Sequence, residues 1–143
     1  MTYREWFDAH GKKHAKILEK LKDYGDEEII DYFVFENMVE KENDFCKLYK
    51  ENKKCHDIEY LNCYFCACPN FRFDVDGIKK QKNKTIYSYC DIDSKDGSQY
   101  VGEEYIHQNC SGCLVPHKKN YIKKNFTKNW FEAMKEVPLK KPQ

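Results

Sequence analysis

Apolar side chains recur at alternating spacings of four and three residues over the first 24 positions of the chain. This spacing forms one stripe of a helix, which Trp6 and Leu18 widen. The stripe consists of Tyr3, Phe7, His10, His14, Ile17, Leu21 and Tyr24. The pattern predicts a helix over residues 3–24. His10 and His14 lie one turn apart on it, and we interpret them as hydrogen-bonded interface residues rather than metal ligands, since no carboxylate follows on the stripe.

Two further helices are predicted from the same periodicity. Gly25 suits a helix C-terminus and Asp26 the start of the next helix, which we place over residues 27–41 as the second arm of an antiparallel helical hairpin. The last helix begins after Pro116-His117 and runs to Pro138, where a proline ends it. Its apolar face consists of Ile122, Phe126, Trp130, Met134 and Val137.

Helical periodicity fades between residues 44 and 117. Phe71, Phe73 and Val75 alternate with polar residues before an Asp-Gly turn, and residues 86–90 are rich in strand-forming side chains. These two stretches predict a small β-hairpin across the lysine-rich loop 79–84. The fold class expected is α+β, with the N-terminal helical hairpin and the C-terminal helix around an irregular, metal-organised centre.

The length of 143 residues corresponds to a single domain. We divide it into a helical hairpin over 1–43, a Cys/His region over 44–117 and a basic helix and tail over 118–143. Aromatic residues make up 15% and charged residues 34% of the chain, and the mean hydropathy is −0.92. A modest core of large rings in so polar a chain requires an additional source of stability, which bound metal would supply.

Charge is unevenly distributed, although the net charge is only +1. Residues 1–43 contain 7 basic and 11 acidic side chains, and residues 118–143 contain 8 and 2. The N-terminus lacks the features of a secretory signal, and no stretch is apolar enough for a membrane span. We therefore expect a cytoplasmic protein without membrane contact. In that reducing compartment thiols stay free, which makes a disulfide framework the minor alternative.

All eight cysteines, together with two histidines, lie between residues 46 and 117. The ten candidate metal ligands are Cys46, Cys55, His56, Cys63, Cys66, Cys68, Cys90, Cys110, Cys113 and His117. Thiolates and imidazoles at short spacings are typical ligands of zinc, and ten donors suffice for two sites of four. Cys90 alone could equally be a small buried hydrophobic residue of a strand.

Two pairs of cysteines have the spacing of zinc knuckles, Cys63 with Cys66 and Cys110 with Cys113. His117 follows Cys113 by four residues and could complete the second of them. An iron-sulfur cluster is the alternative cofactor, since it also uses Cys ligands. The cysteine spacing does not match that of ferredoxins, and the histidines favour zinc.

The ordered Cys and His residues resemble the cysteine-rich small domain family. The matching residues are Cys46, Cys55-His56, Asn62-Cys63-Tyr64-Phe65-Cys66-Ala67-Cys68-Pro69, Cys90, Asn109-Cys110-Ser111-Gly112-Cys113 and Pro116-His117. The resemblance spans roughly residues 43–122. Lys54 stands where the family pattern has proline, and Asn70-Phe71 stands where it has Leu-Tyr. The resemblance implies a metal-binding module, and similar domains occur fused to enzymes of cobamide synthesis, where a metal-dependent regulatory or assembly role is implied.

Three functions follow from these features. The first is a non-catalytic, zinc-binding protein with a structural role or a protein partner. The second is an iron-sulfur or dithiol redox or metalloregulatory module linked to cofactor synthesis. The third is nucleic-acid binding through the basic C-terminal helix, by lysines interleaved with aromatic rings. Those residues are Lys118, Lys119, Lys123, Lys124 and Lys128 with Tyr121, Phe126 and Trp130.

The sequence favours a protein that is not an enzyme. It contains no phosphate-binding loop, nucleophile elbow or zinc-protease helix, so we assign no catalytic residue. An open zinc site with His56 or His117 beside a bound water is the enzymatic alternative. The first helix could also serve as a homodimer interface, because its apolar stripe can close either an intramolecular core or a seam between two chains.

Overall fold

The computed structural model describes residues 2–74 and 76–138, and it confirms the α+β class. The helices are α1 (Tyr3–Lys20), α2 (Asp26–Tyr32), α3 (Phe35–Lys41), α4 (Lys119–Asn125) and α5 (Trp130–Ala133). The strands are β1 (Phe71–Phe73), β2 (Lys79–Gln81), β3 (Lys84–Ile86), β4 (Ser88–Cys90), β5 (Ser98–Val101) and β6 (Tyr105–Asn109). Val75, which the sequence pattern assigns to a strand, lies outside the described residues.

The chain divides into two compact units. Met1–Cys66 and Val115–Ala133 form the first, here called the helical unit because it contains all five helices. Ala67–Leu114 and Met134–Gln143 form the second, the sheet unit, which contains the six strands. The division passes through the middle of the Cys/His region defined from sequence. The single domain of residues 1–143 stays a prediction.

Helix α1 has the predicted N-terminus and ends earlier than predicted. Thr2 and Glu5 form a reciprocal capping box at its start, and Leu21 caps its end, so that residues 21–24 leave the helix. The apolar stripe is buried inside the helical unit from Phe7 to Leu21, while Tyr24 is 41% exposed. Burial of the stripe against its own unit accounts for the conformation of α1 without a second chain.

The predicted second helix over 27–41 is wrong as one element, because the chain leaves the helical conformation at Val34. The backbone there is extended and pairs with a distant segment: the Phe35 N–H donates to the Leu61 carbonyl, and the Cys63 N–H donates to the Phe33 carbonyl, each at 2.9 Å. These bonds satisfy backbone groups at the break, so two shorter helices, α2 and α3, replace one long helix.

The predicted continuous C-terminal helix is also wrong, since it divides into α4 and α5. Phe126 is extended, and the hydroxyl of Tyr64 donates a hydrogen bond to the Thr127 carbonyl within the gap. The Asn129 side chain then accepts from the Glu132 N–H and starts α5. The apolar spacing indicates a buried face correctly, but tertiary hydrogen bonds interrupt the helix.

The predicted β-hairpin is confirmed in its pairing and wrong in its loop. Strands β1 and β4 pair antiparallel, with Phe71 opposite Cys90. Residues 79–84, expected as a loop, instead form β2 and the start of β3, joined by Lys82 and Asn83 with positive φ of 50° and 67°. The four-stranded sheet has the order β2-β3-β6-β5, with β3 and β6 parallel. Strands β5 and β6 were not predicted.

Candidate metal centre

Three of the ten predicted ligands form a compact group in the helical unit. One donor atom each of Cys55, His56 and His117 lies within 4.8 Å of the other two. Cys55 and His56 come from an irregular loop, and His117 ends the short 3-10 turn Val115–His117. Nitrogen and sulfur donors at this separation form three corners of the tetrahedral coordination that zinc prefers.

The hydrogen bonds of the two rings leave one nitrogen of each free for a metal. Nδ1 of His117 donates to the Asn62 carbonyl at 2.9 Å, and its Nε2 lies 3.7 Å from Sγ of Cys55. Nδ1 of His56 donates to the Cys55 carbonyl at 2.7 Å. A carbonyl accepts only from a protonated nitrogen, so in the neutral tautomer of each ring Nε2 carries the lone pair. Metal-ligating histidines are commonly oriented in this way.

Asn62 connects this group to the core of the helical unit. Its side-chain amide donates to the Ile30 carbonyl at 2.8 Å, and its side-chain oxygen accepts from the Tyr64 N–H at 2.9 Å. Its own N–H donates to the His117 carbonyl at 3.2 Å. Asn62 is completely buried. One residue therefore fixes the position of His117 and of the neighbouring Cys63.

Burial favours the neutral form of three donors in this region, His117, Cys55 and Cys63. Burial lowers the pKa of His117 and raises the pKa of Cys55, with the Cys46 thiol raising it further. Burial likewise raises the pKa of Cys63 to about 12, and the thiols of Cys55 and Cys46 act in the same direction. A cation would reverse this preference, because it stabilises thiolates that are otherwise costly to desolvate.

Tyr49 places a buried hydroxyl among these thiols, next to Cys63. Its side chain is 3% exposed, and no described residue completes a hydrogen bond of normal geometry with its hydroxyl. Burial raises the pKa of Tyr49, and the thiols of Cys63, Cys46 and Cys66 raise it further. A phenol next to thiols that become thiolates on metal binding would gain an acceptor, which fits a metal centre at this place.

The remaining candidate ligands are divided between the units. Cys46, Cys63 and Cys66 lie in the helical unit with the three-residue group, whereas Cys68, Cys90, Cys110 and Cys113 lie in the sheet unit. All eight cysteines are unbridged thiols. The compact group joins His117 to Cys55 and His56 rather than to the Cys110-Cys113 pair, which is nearer in sequence.

His10 and His14 belong to the aromatic core of the helical unit. The His10 ring stacks on Trp6 at 4.9 Å and meets Phe45 at 4.4 Å between centroids. Nε2 of His14 donates to the Tyr64 carbonyl at 3.1 Å. Burial lowers the pKa of His10 to about 4 and that of His14 to about 3. Both rings are therefore neutral packing residues.

Three lysines of the C-terminal segment, Lys119, Lys123 and Lys128, lie near carboxylates of α2. Lys123 lies 2.6 Å from Glu27, and Lys119 lies 3.6 Å from Asp31. Trp130, one of the rings considered for base stacking, is 2% exposed. Nucleic-acid binding through this segment stays a prediction: all of its five candidate lysines except Lys119 are exposed, whereas the Trp130 ring is not available for stacking.

Sequence reasoning missed the two residues that support the candidate centre, Asn62 and Tyr49. Asn62 stands out only as the neighbour of Cys63, and Tyr49 is one of eleven tyrosines. Their roles depend on bonds and burial that arise between distant parts of the chain.

Comparison of the chain with protein-family models, with curated proteins and with solved structures finds no match. The resemblance to the cysteine-rich small domain family stays a prediction. Within residues 2–74 and 76–138, none of the helices combines the length and the apolar composition that a membrane crossing requires.

Proposed function

We propose that the protein binds zinc through Cys55, His56 and His117, and that the ion has a structural role, stabilising a surface for a protein partner. The observation that carries this proposal is the convergence of three donor atoms within 4.8 Å. Two of them, from Cys55 and His117, lie 62 residues apart in the chain. The buried, preoriented His117 ring supports it, since a ligand held by a second hydrogen bond binds metal with less loss of freedom.

A neighbouring thiol, from Cys46 or Cys63, supplies the fourth ligand. Each of these thiols interacts electrostatically with Cys55: after burial, the Cys46 thiol contributes to the raised pKa of Cys55, and the Cys55 thiol contributes to the raised pKa of Cys63. Four protein ligands close the coordination sphere and leave no position for a reacting water. A closed sphere is typical of structural zinc, whereas catalytic zinc keeps one position open.

The proposed role is structural because the ion would stabilise backbone that lacks regular secondary structure. Between Glu51 and Phe71, the described chain contains turns and a single isolated bridge, Val34 with Asn62. Coordination by Cys55, His56 and His117 would link this loop to the 3-10 turn at residues 115–117. Free energy of metal binding is then free energy of folding for the helical unit.

Elemental analysis of protein purified without oxygen tests the proposal. We expect bound zinc, a colourless protein, and loss of ordered structure when a chelator removes the ion. Substitution of His117 by Gln should lower the zinc content by about one equivalent per chain, because Gln lacks the lone-pair nitrogen. Substitution of His107, which lies in the sheet unit, by Gln is the matched control and should leave the content unchanged.

Three results would contradict the proposal. Unchanged zinc in the His117→Gln protein would remove this centre. A visible charge-transfer spectrum with stoichiometric iron and sulfide would favour the iron-sulfur module. Unaltered circular dichroism and melting of the metal-free protein would remove the structural role. Cys46→Ser and Cys63→Ser, measured separately, identify the fourth ligand. The variant with the larger loss of zinc affinity has lost that ligand.

The resemblance to the cysteine-rich small domain family supports the same class of function, since it implies a metal-binding module with an assembly or regulatory role. A link to cobamide synthesis and a homodimer through α1 remain further proposals from sequence. The acidic N-terminal and basic C-terminal segments partly neutralise each other through Glu27, Lys119 and Lys123. This pairing favours a protein partner over a polyanion as the ligand of this face.

A further inference from the structure

The sheet unit contains four cysteines on segments that its hydrogen bonds connect, although among the described residues no three of their sulfur atoms lie within 4.8 Å of one another. Cys68 precedes β1, Cys90 ends β4, and Cys110 and Cys113 follow β6. Antiparallel pairing sets Phe71 opposite Cys90, and the Phe71 N–H donates to the Cys68 carbonyl at 3.1 Å. The strand pair therefore carries Cys68 to the end of the sheet where Cys90 lies.

Arg72 holds the backbone on both sides of this strand end. Its guanidinium donates to the Pro69 carbonyl at 2.6 Å and lies 3.5 Å from a carboxylate oxygen of Asp91. Pro69 follows Cys68, and Asp91 follows Cys90. The Arg72 side chain is only 7% exposed, whereas that of Asp91 is 52% exposed, so water is excluded from the guanidinium rather than from the carboxylate. Positive φ at Cys68, 63°, shows that the backbone is held in an uncommon conformation at this point.

Ser94 connects Cys90 with the second pair of cysteines. Its N–H donates to Sγ of Cys90 at 3.5 Å, and its hydroxyl lies 3.1 Å from Sγ of Cys113. The Cys113 N–H donates to the Cys110 carbonyl at 3.0 Å, which closes a tight turn between these two cysteines. One serine thus contacts sulfur atoms from two distant segments, and N–H and O–H donors to sulfur are frequent around metal-bound thiolates.

The electrostatics of Cys68 and Cys110 agree with this arrangement. Burial raises the pKa of Cys68 to about 11, and the thiols of Cys110, Cys90 and Cys113 raise it further. Burial raises the pKa of Cys110 to about 11 as well, with contributions from Cys113 and Cys90. A thiophilic cation would reverse this preference of Cys68 and Cys110 for the neutral thiol.

We propose that Cys68, Cys90, Cys110 and Cys113 bind a second zinc ion through four thiolates, in a site built entirely from the sheet unit. Four sulfur ligands in a tetrahedron favour zinc or iron over harder cations. The site does not depend on the Cys55, His56 and His117 centre, because the two share no residue. The ion would link the ends of three strands, β1, β4 and β6. It would stabilise a unit that contains few buried apolar residues.

Zinc content of four proteins tests this site and separates it from the first one. The wild-type chain should bind about two equivalents, His117→Gln and Cys110→Ser about one each, and the double variant none. If Cys110→Ser keeps the wild-type content while His117→Gln loses one equivalent, the second site is refuted and the first stands. If only Cys110→Ser loses zinc, the first centre is refuted and the second stands. Iron in place of zinc would overturn the assignment of the ion.

X-ray absorption at the zinc edge provides a measurement that does not depend on a folded cysteine variant. In His117→Gln protein, the remaining zinc should have a shell of four sulfurs at about 2.3 Å and no nitrogen at about 2.0 Å. The spectrum of the wild-type protein averages the two sites and should contain both sulfur and nitrogen ligands. A nitrogen-rich shell in the His117→Gln protein would contradict a site of four thiolates.

Ser94 is the positioning residue of the proposed site. Ser94→Ala removes the hydroxyl that contacts Cys113 and should weaken zinc binding by about tenfold in competition with a chromophoric chelator. Zinc at the first centre should be unaffected. The matched control is Ser98→Ala on the exposed strand β5, which should bind like the wild type. Equal affinities for the two serine variants would show that Ser94 has no role in the site.

Discussion

Asn62 and His117 are joined by two reciprocal hydrogen bonds. The Asn62 N–H donates to the His117 carbonyl at 3.2 Å, and Nδ1 of His117 donates to the Asn62 carbonyl at 2.9 Å. The two residues are 55 positions apart in sequence. This relationship orients the imidazole toward Cys55 before any ion binds, and it connects the candidate centre to the backbone that interrupts the second predicted helix.

Substitution of Asn62 by Ala should destabilise the helical unit and weaken metal binding together. The substitution leaves the Ile30 carbonyl and the Tyr64 N–H without their partners in a buried region, at an expected loss of about 2–4 kcal/mol. Zinc affinity should also fall, since the backbone that orients His117 loses its anchor. Urea unfolding and zinc competition measure the two effects. Asn120→Ala, at an exposed position of α4, should alter neither; a stable Asn62→Ala protein with full affinity would contradict this role.

Replacement of Tyr49 by Phe should lower zinc affinity by about tenfold while changing the fold little. The hydroxyl is buried beside the Cys63 thiol and makes no hydrogen bond of normal geometry in the described chain, so its removal should cost little stability. On metal binding, the neighbouring thiolate would accept its proton in a hydrogen bond. The control is Tyr100→Phe, since Tyr100 is 56% exposed on β5. Wild-type affinity in Tyr49→Phe would show that the hydroxyl does not contact a ligand.

Acidification should destabilise the helical unit through His10 and His14. Burial lowers their pKa values to about 4 and about 3, whereas the unfolded chain has the ordinary value near 6.5. Below pH 6.5, these two histidines therefore bind protons in the unfolded chain but not in the folded protein. The stability they contribute is complete above pH 6.5 and is lost progressively toward pH 4, by on the order of 2 kcal/mol per ring at pH 5.

Proton NMR checks this directly, because the ring resonances of His10 and His14 should not titrate between pH 8 and pH 5 in the folded protein. His10→Gln should reduce the dependence of the unfolding free energy on pH over the same range, with zinc saturating throughout. Titration of either ring near pH 6.5 would show that it is exposed to water rather than packed between Trp6, Phe33 and Phe45.

Substitution of Gly11 by Ala should destabilise the protein, although alanine is usually favoured in a helix by about 1 kcal/mol. A Cβ at this buried position of α1 would overlap the ring of Phe131 on α5. Forcing such an overlap costs about 1–3 kcal/mol, more than the gain in helix propensity. In a Phe131→Ala background, the same substitution should stabilise, because the ring is absent. A double-mutant cycle of unfolding free energies measures this change of sign, and additive effects would contradict the packing of α1 on α5.

Local pattern predicted the elements whose conformation depends on their own residues. The capping box and apolar stripe of α1 are local features, and the structure contains this helix within a few residues of its predicted limits. The pairing of β1 with β4 was predicted from strand propensity on both sides of a turn. The breaks at Val34 and Phe126 were missed because each depends on hydrogen bonds from a distant segment, through Cys63 in one case and Tyr64 in the other.

The sequence by itself determined which donors are present and that the fold is α+β, because ligand chemistry and hydrophobic period are properties of residue types and their spacing. Only the tertiary structure decided how the donors are grouped. Cys110, Cys113 and His117 are close in sequence, yet the last belongs with Cys55 and His56. Hydrogen bonds between segments about 60 residues apart position these side chains. Such long-range bonds produce no periodic pattern in the sequence from which they could be predicted.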